Sequence, residues 1–253
     1  MIDELVVADT TGASEVHGMH GGAEIARWKC LARRIGLAGA WEAIEWASLP
    51  PGAVCGEHCH TRTEELYFVI SGEGELLLDD VPRKVRPGHL IANGLGTRHQ
   101  FRNLGSDDLN WLVIEVFGPD TARTLTGTPE AAPAETGTPD PGESLMTNAT
   151  VIDLEEHGEV DLTTLLTGPL RQARLATLAP GQAETLTADD REHTLFFLEG
   201  TGTARSGASL VDLADGTAIT LPLGSTVTIT AGAGALRYFH ASLAVPAGQG
   251  DRR

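Results

Sequence analysis

Short apolar-rich runs broken by polar turn residues fill most of the first half of this chain. Residues 41–49, 57–61, 65–71, 74–79, 89–93, 98–103 and 110–117 carry strand signals of this kind and predict β-strands. Turn-forming residues separate them, among them Pro50-Pro51-Gly52, Ser71-Gly72, Asp79-Asp80, Pro87-Gly88 and Gly105-Ser106-Asp107. Strands this short and this closely spaced predict an all-β barrel. In residues 22–36 the apolar positions Ile25, Trp28 and Ile35 fit a helix face or an entering strand, and the strand is the reading adopted.

The turn residues recur. Gly72 and Gly74 are matched 128 positions later by Gly200 and Gly202, Gly88 by Gly216, and Gly94 and Gly96 by Pro222 and Gly224. Pro51-Gly52 is matched 129 positions later by Pro180-Gly181, so a single deleted residue reconciles the two offsets. An ordered series in register predicts a duplicated barrel. Between the copies, residues 118–148 hold five of the chain's 13 prolines, several Thr-Gly steps and few large apolar residues, which is the composition of a linker. The expected division is a first unit over 1–117 with an N-terminal extension, a linker over 118–148 and a second unit over 149–253.

A length of 253 residues accommodates two such units. With 41% hydrophobic and 21% charged residues the composition is that of a folded globular protein, and wholesale disorder is excluded. No apolar run approaches the ~20 residues of a membrane-spanning helix. The start, Met1-Ile2-Asp3-Glu4, is acidic where a signal peptide is basic, so a cytoplasmic location is expected. Asp and Glu outnumber Lys and Arg by 35 to 18, and the formal charge of -17 opposes binding to nucleic acid or to anionic membrane surfaces. Cys30, Cys55 and Cys59 make an odd count that predicts no disulfide framework, and Cys55 and Cys59 lack the second pair of a zinc site.

Candidate chemistry concentrates in the first unit. His58 and His60 stand two residues apart, so on a strand both imidazoles leave the same face about 6–7 Å apart along the chain. The polar connection from Thr61 to Glu64 can return a carboxylate to that face. Glu64 and Glu65 both compete for the role, and Glu65 is preferred because Tyr67 and Val69 share its parity on a mostly apolar, interior-facing side. His99 opens a later strand with Phe101 and Asn103 on the same face. Tyr67 reads as a proton or hydrogen-bond donor in the cavity or as a barrel-core aromatic. Phe101 and Asn103 read as substrate-pocket residues. His17 and His20 read as residues of a Gly-flanked loop, and Arg62 as an exposed turn residue. No phosphate-binding glycine loop, Ser-His-Asp set or dinucleotide fingerprint is present in the sequence.

The spacing Gly52-x5-His58-x-His60-x4-Glu65-x6-Gly72 resembles the first motif of the cupin superfamily at each defining position. Gly88-x5-Gly94-x-Gly96-x2-His99-x3-Asn103 resembles the second, with Gly94 where proline is usual. The resemblance covers roughly residues 41–117, with 178–245 as a weaker second copy, and implies a bicupin of two tandem jelly-roll β-barrels. It also implies that His58, His60, Glu65 and His99 are metal ligands. Three neutral imidazoles and one carboxylate suit a divalent transition metal and leave two positions of a six-coordinate ion open. One ion per chain is expected, with Fe(II) favoured over Mn(II), Zn(II), Ni(II) or Cu(II). In the second copy the ligand positions fall on Leu186, Ala188, His193 and Val227 counted from Gly200, or on Thr187 and Asp189 counted from Gly181, so that barrel is expected without metal.

The activity so implied is that of a metal-dependent enzyme acting on a small organic molecule, first an oxidoreductase of the dioxygenase kind in biosynthetic or degradative metabolism. The alternatives are a non-redox isomerase, cyclase, decarboxylase or lyase, including polyketide cyclase-like tailoring, and a non-catalytic cupin that senses a metal or small molecule. The expected partner is a small-molecule substrate, with a homodimer left open.

Overall fold

The computed structural model describes residues 5–126 and 149–246. Its first part runs through β1 (Val6–Asp9), β2 (Ser14–His17), β3 (Ile25–Arg33), β4 (Trp41–Leu49), β5 (Val54–Cys59), β6 (Thr63–Ser71), β7 (Gly74–Leu78), β8 (Val81–Val85), β9 (His89–Asn93), β10 (Arg98–Arg102) and β11 (Leu109–Phe117). A helix, α1 (Pro119–Thr126), follows. The second part holds β12 (Ala149–Asp153), α2 (Leu154–His157), β13 (Glu159–Asp161), β14 (Leu170–Leu178), β15 (Ala183–Thr187), β16 (Arg191–Glu199), β17 (Gly202–Ser206), β18 (Ser209–Leu213), β19 (Thr217–Leu221), β20 (Thr226–Ala231) and β21 (Leu236–Ala244). Residues 22–36 contain strand β3, not a helix. Of the expected linker, the first residues form α1 and residues 127–148 lie outside the described residues. Among the described residues no helix is long and apolar enough to cross a membrane.

Each barrel is a pair of facing sheets, and the two barrels repeat one pattern. In the first, the order β12-β9-β6-β11-β4-β3-β2 faces β5-β10-β7-β8; in the second, β1-β19-β16-β21-β14-β13 faces β15-β20-β17-β18. Two strands cross between the halves of the chain. β1 pairs with β19 of the second barrel, and β12 pairs with β9 of the first. The matched glycines share left-handed backbone angles: Gly72 and Gly200 have φ of 79° and 91°, Gly88 and Gly216 of 88° and 81°. At Gly72 a Cβ would lie 2.4 Å from the Asp108 carbonyl oxygen, and at Gly200 2.0 Å from that of Ala235. The turn therefore requires glycine on both counts.

Alternation sends the two faces of β6 to different places. Tyr67 and Val69 join Leu76, Phe101 and Trp111 in the interior of the first barrel, while Leu66 and Phe68 turn outward into a cluster shared with Phe196, Phe239 and Leu243 of the second. Phe68 stacks on Phe239 with ring centroids 4.5 Å apart. Such a sheet is buried on both faces, so its strands read as nearly continuous apolar runs.

Reciprocal carboxylates pin this interface. Glu64 accepts from Thr167 N, Thr167 Oγ1 and Gly168 N. Its counterpart 128 positions on, Glu192, accepts from Ala38 N, Gly39 N, Trp41 Nε1 and Leu223 N. Both carboxylates are buried. Glu64 is thereby occupied between the barrels, which leaves Glu65 for the interior.

Candidate metal centre

Four donors converge at one end of the first barrel's interior. β5 carries His58, the following turn His60, β6 Glu65 and β10 His99. His58 and His99 are directly opposite in the β5–β10 pairing, and the strand pairing β6–β11–β4 holds Glu65 in a wall buried on both sides. One ligand atom from each of the four lies within 4.8 Å of every other. Glu65 and His99 are each 2% exposed.

Ring orientation follows from bonds behind the cluster. His58 Nδ1 is 2.8 Å from the Gly56 carbonyl oxygen and His99 Nδ1 is 3.2 Å from that of Thr97. A carbonyl oxygen only accepts, so each Nδ1 carries the proton and each neutral ring turns an Nε2 lone pair inward. His60 is held from behind by Thr63 Oγ1 at 3.1 Å. Inside, His58 Nε2 and His99 Nε2 are 3.1 Å apart, His99 Nε2 is 3.0 Å from Glu65 Oε2, and His60 Nε2 is 3.1 Å from Glu65 Oε1. The His60 contact lacks hydrogen-bond geometry, and that buried nitrogen has no hydrogen-bond partner. Two inward lone pairs, an orphaned third nitrogen and a buried carboxylate form a set that could hold a cation, and a divalent transition metal fits these donors.

The electrostatics favour neutral rings at His58 and His60 and an anion at Glu65, with His99 drawn toward its charged form by that anion. Burial, with the neighbouring His99, pushes His58 down to about 4. Burial likewise lowers His60. Burial opposes charge on His99 too, but the hydrogen bond and charge of Glu65 outweigh it and raise its pKa. Glu65 is lowered because His99, His60 and His58 together exceed its large burial penalty.

Tyr67 donates to Glu65 Oε2 at 3.1 Å and lies 2.9 Å from His99 Nε2. Burial and Glu65 hold its phenol well above the usual range. Its hydroxyl thus touches two of the four donors, while its ring packs in the core beside Phe101, at 6.1 Å between centroids. Phe101 and Asn103 stand behind the cavity. Phe101 is 2% exposed and packs edge-on against Trp111. Asn103 directs its amide to the Leu49 and Asp107 carbonyls and accepts from Gly105 N, so it ties down a turn.

The cavity beside the cluster has a volume of about 360 Å³ and includes His58, Glu65, Tyr67, Trp28, Trp111 and Glu115 in its walls. His20, read from the sequence as a loop residue, reaches the site: its ring stacks on His58 with centroids 3.7 Å apart, and it groups with Cys55 and His58 as a second set of donors. Its backbone has φ of 52°. The glycines flanking it were the only signal of an unusual turn. Arg62 is exposed, as expected for its turn. Burial and Glu65 push the Cys55 thiol up to about 12.

At the corresponding end of the second barrel, Leu186 pairs with Val227 where His58 pairs with His99. Nearby, Arg174 Nε donates to His240 Nδ1 at 2.9 Å, and His240 Nε2 lies 2.9 Å from His193 Nδ1. Glu184 accepts from Arg174 and from the Tyr238 hydroxyl.

A cupin-domain family model matches residues 45–115, the span that holds all four donors. Protein SchB of Streptomyces halstedii is 36% identical over 94 residues, covering 35% of this chain and 67% of SchB. An oxalate-binding protein of Thermotoga maritima is 30% identical over 69 residues, covering 27% of this chain and 57% of that protein, so a little over half of its length is spanned. Among solved structures, Ylba of E. coli superposes with a TM-score of 0.71 at 13% identity, over 97% of this chain and 93% of Ylba. A Bacillus subtilis oxalate decarboxylase mutant, itself a bicupin, gives 0.68 at 15% identity, over 97% of this chain and 78% of its own. These two likenesses establish the tandem-barrel fold.

Proposed function

Because the chain belongs to the cupin superfamily, we propose that it is a metal-dependent enzyme acting on a small organic molecule at the first barrel, and that its reaction is an oxygenation. The carrying observation is the pair of inward-facing imidazole nitrogens of His58 and His99, 3.1 Å apart and closed by Glu65. His58, His60, Glu65 and His99 would hold the ion. A redox-active ion such as iron supplies one-electron chemistry toward dioxygen, and any divalent ion supplies Lewis acidity. The protein's own part is to fix the tautomers of His58 and His99 through the carbonyls behind them, to hold Glu65 with the Tyr67 hydroxyl, and to enclose the substrate in a largely apolar cavity. Tyr67, with its proton firmly bound, serves as a hydrogen-bond donor at this site.

A non-redox reaction is the second reading, and Glu115 favours it. Burial together with Glu65, Glu45 and Glu42 pushes its carboxyl up to about 7. A cavity-wall acid poised there can give or take a substrate proton near neutral pH. Protein reconstituted with iron, manganese or zinc and screened against candidate substrates with and without air separates the two. Turnover by iron-loaded protein that stops without oxygen is expected. Full turnover of zinc-loaded protein under strict anaerobiosis contradicts the oxygenase, since zinc has no redox change to offer. Tight binding of small molecules with no turnover by any metal contradicts both and leaves a sensor.

A further inference from the structure

We propose, resting on the reading of this cavity as the substrate site of a metal enzyme, that the substrate is a flat hydroxylated aromatic molecule and not a small carboxylate dianion. The walls carry the argument. Trp28, Trp111 and Val113 line the cavity together with Tyr67, and no Lys or Arg is among its described lining residues. Two carboxylates beyond Glu65 face it, Glu45 and Glu115. A divalent ion beside Glu65 would leave a formal site charge of about +1. Arg33, which lies outside the cavity with Nη2 3.4 Å from Glu45 Oε1, counters Glu45. Glu115 feels Arg33 more weakly than it feels burial and the carboxylates Glu65, Glu45 and Glu42, and it adds part of a negative charge to the wall. An incoming dianion would therefore be desolvated beside carboxylates with no guanidinium or ammonium to receive it.

The same walls suit an aromatic ring. Trp28 donates its indole N–H to Glu45 Oε2 at 2.8 Å, which fixes the plane of that wall before any ligand arrives. Trp111 is 2% exposed, and its indole nitrogen is buried without a hydrogen-bond partner. Packed edge-on against Phe101, this ring gives the cavity a rigid aromatic wall. The Glu115 carboxyl offers a partner to a hydroxyl hydrogen. A volume of about 360 Å³ is ample for one or two rings, whereas a two-carbon dianion has no face to stack and leaves most of the space unfilled. Oxalate, which the Thermotoga relative is named for binding, is the poorer match.

Calorimetric titration with catechol, oxalate and choline tests this on full-length protein, both metal-loaded and metal-free, with metal content measured before and after. Catechol and oxalate both chelate through two oxygens, so their difference reports the walls. Catechol should bind metal-loaded protein at least about tenfold tighter than oxalate and keep the preference without metal. Trp28→Ala should weaken catechol roughly tenfold, the scale of one lost aromatic contact with its buried area, and leave metal content and oxalate affinity within about twofold. Glu115→Gln should tighten oxalate several-fold. Oxalate binding more tightly than catechol, choline binding most tightly of the three, or unchanged catechol affinity in Trp28→Ala would each overturn the proposal. A chain that takes up no metal defeats the metal-enzyme reading instead, while the metal-free titrations still decide the preference.

Discussion

Replacing Glu192 by glutamine changes no volume and removes one acceptor oxygen from a site that needs two. Glu192 Oε1 accepts from Ala38 N and Leu223 N at 2.8 and 3.0 Å, and Oε2 from Gly39 N and Trp41 Nε1 at 2.9 and 2.8 Å. The residue is 0% exposed, so water cannot substitute. Whichever oxygen becomes the amide nitrogen, two donors lose their acceptor and face another donor. At about 1–3 kcal/mol for each orphaned donor the loss is about 2–6 kcal/mol. That is a large part of an ordinary stability of about 5–15 kcal/mol, and it corresponds to a fall in Tm of roughly 5–20 °C for a chain of this size. Urea denaturation of wild type and Glu192→Gln, followed by circular dichroism with matched metal content, reads the difference in midpoint. An unfolding free energy, midpoint times slope, within about 0.5 kcal/mol of wild type would show that this carboxylate does not clamp the barrels together.

Gly200→Ala should prevent stable folding or cost well over 2 kcal/mol in denaturant, because the new Cβ would meet the Ala235 carbonyl oxygen at 2.0 Å. Gly224→Ala, at φ of 84° with nothing within 4 Å, should cost only about 1–2 kcal/mol; equal losses at the two positions would refute the steric argument. Burial, with Arg174 and His193 nearby, holds His240 well below the usual histidine range. The unfolded chain takes up that proton near pH 6.5 while the folded chain does not, so stability should fall as pH drops through about 6.5. In His240→Asn the acid-side slope of stability against pH should shrink, and an unchanged slope would contradict this account.

The parts that were legible in the sequence are those with local causes. β4 and β9 occupy the expected positions 41–49 and 89–93 because apolar runs bounded by turn residues such as Pro50-Pro51-Gly52, Pro87-Gly88 and Gly94 mark where each begins and ends. The second barrel was visible through turns whose glycines have left-handed angles in both copies. β8 was not anticipated, since Val81-Pro82-Arg83-Lys84-Val85 is polar and contains a proline that is tolerable only because this strand is the edge of its sheet. The crossing of β1 and β12 was equally hidden, because a four- or five-residue strand carries no mark of which barrel it will join. At the site, the spacing of His58, His60, Glu65 and His99 placed four donors that the fold brings together. His20, Glu45 and Glu115 reach the cavity from distant strands and loops, and only tertiary packing reveals them.

The central claim is that the first barrel binds one divalent metal through these four side chains. Elemental analysis of protein reconstituted with iron or manganese and freed of excess metal tests it directly, on wild type and on His99→Ala. The account predicts a stoichiometry near one for wild type, a loss of most of that metal in His99→Ala, and no change in His193→Ala. Full occupancy retained in His99→Ala, or two tightly held ions per chain, would contradict it.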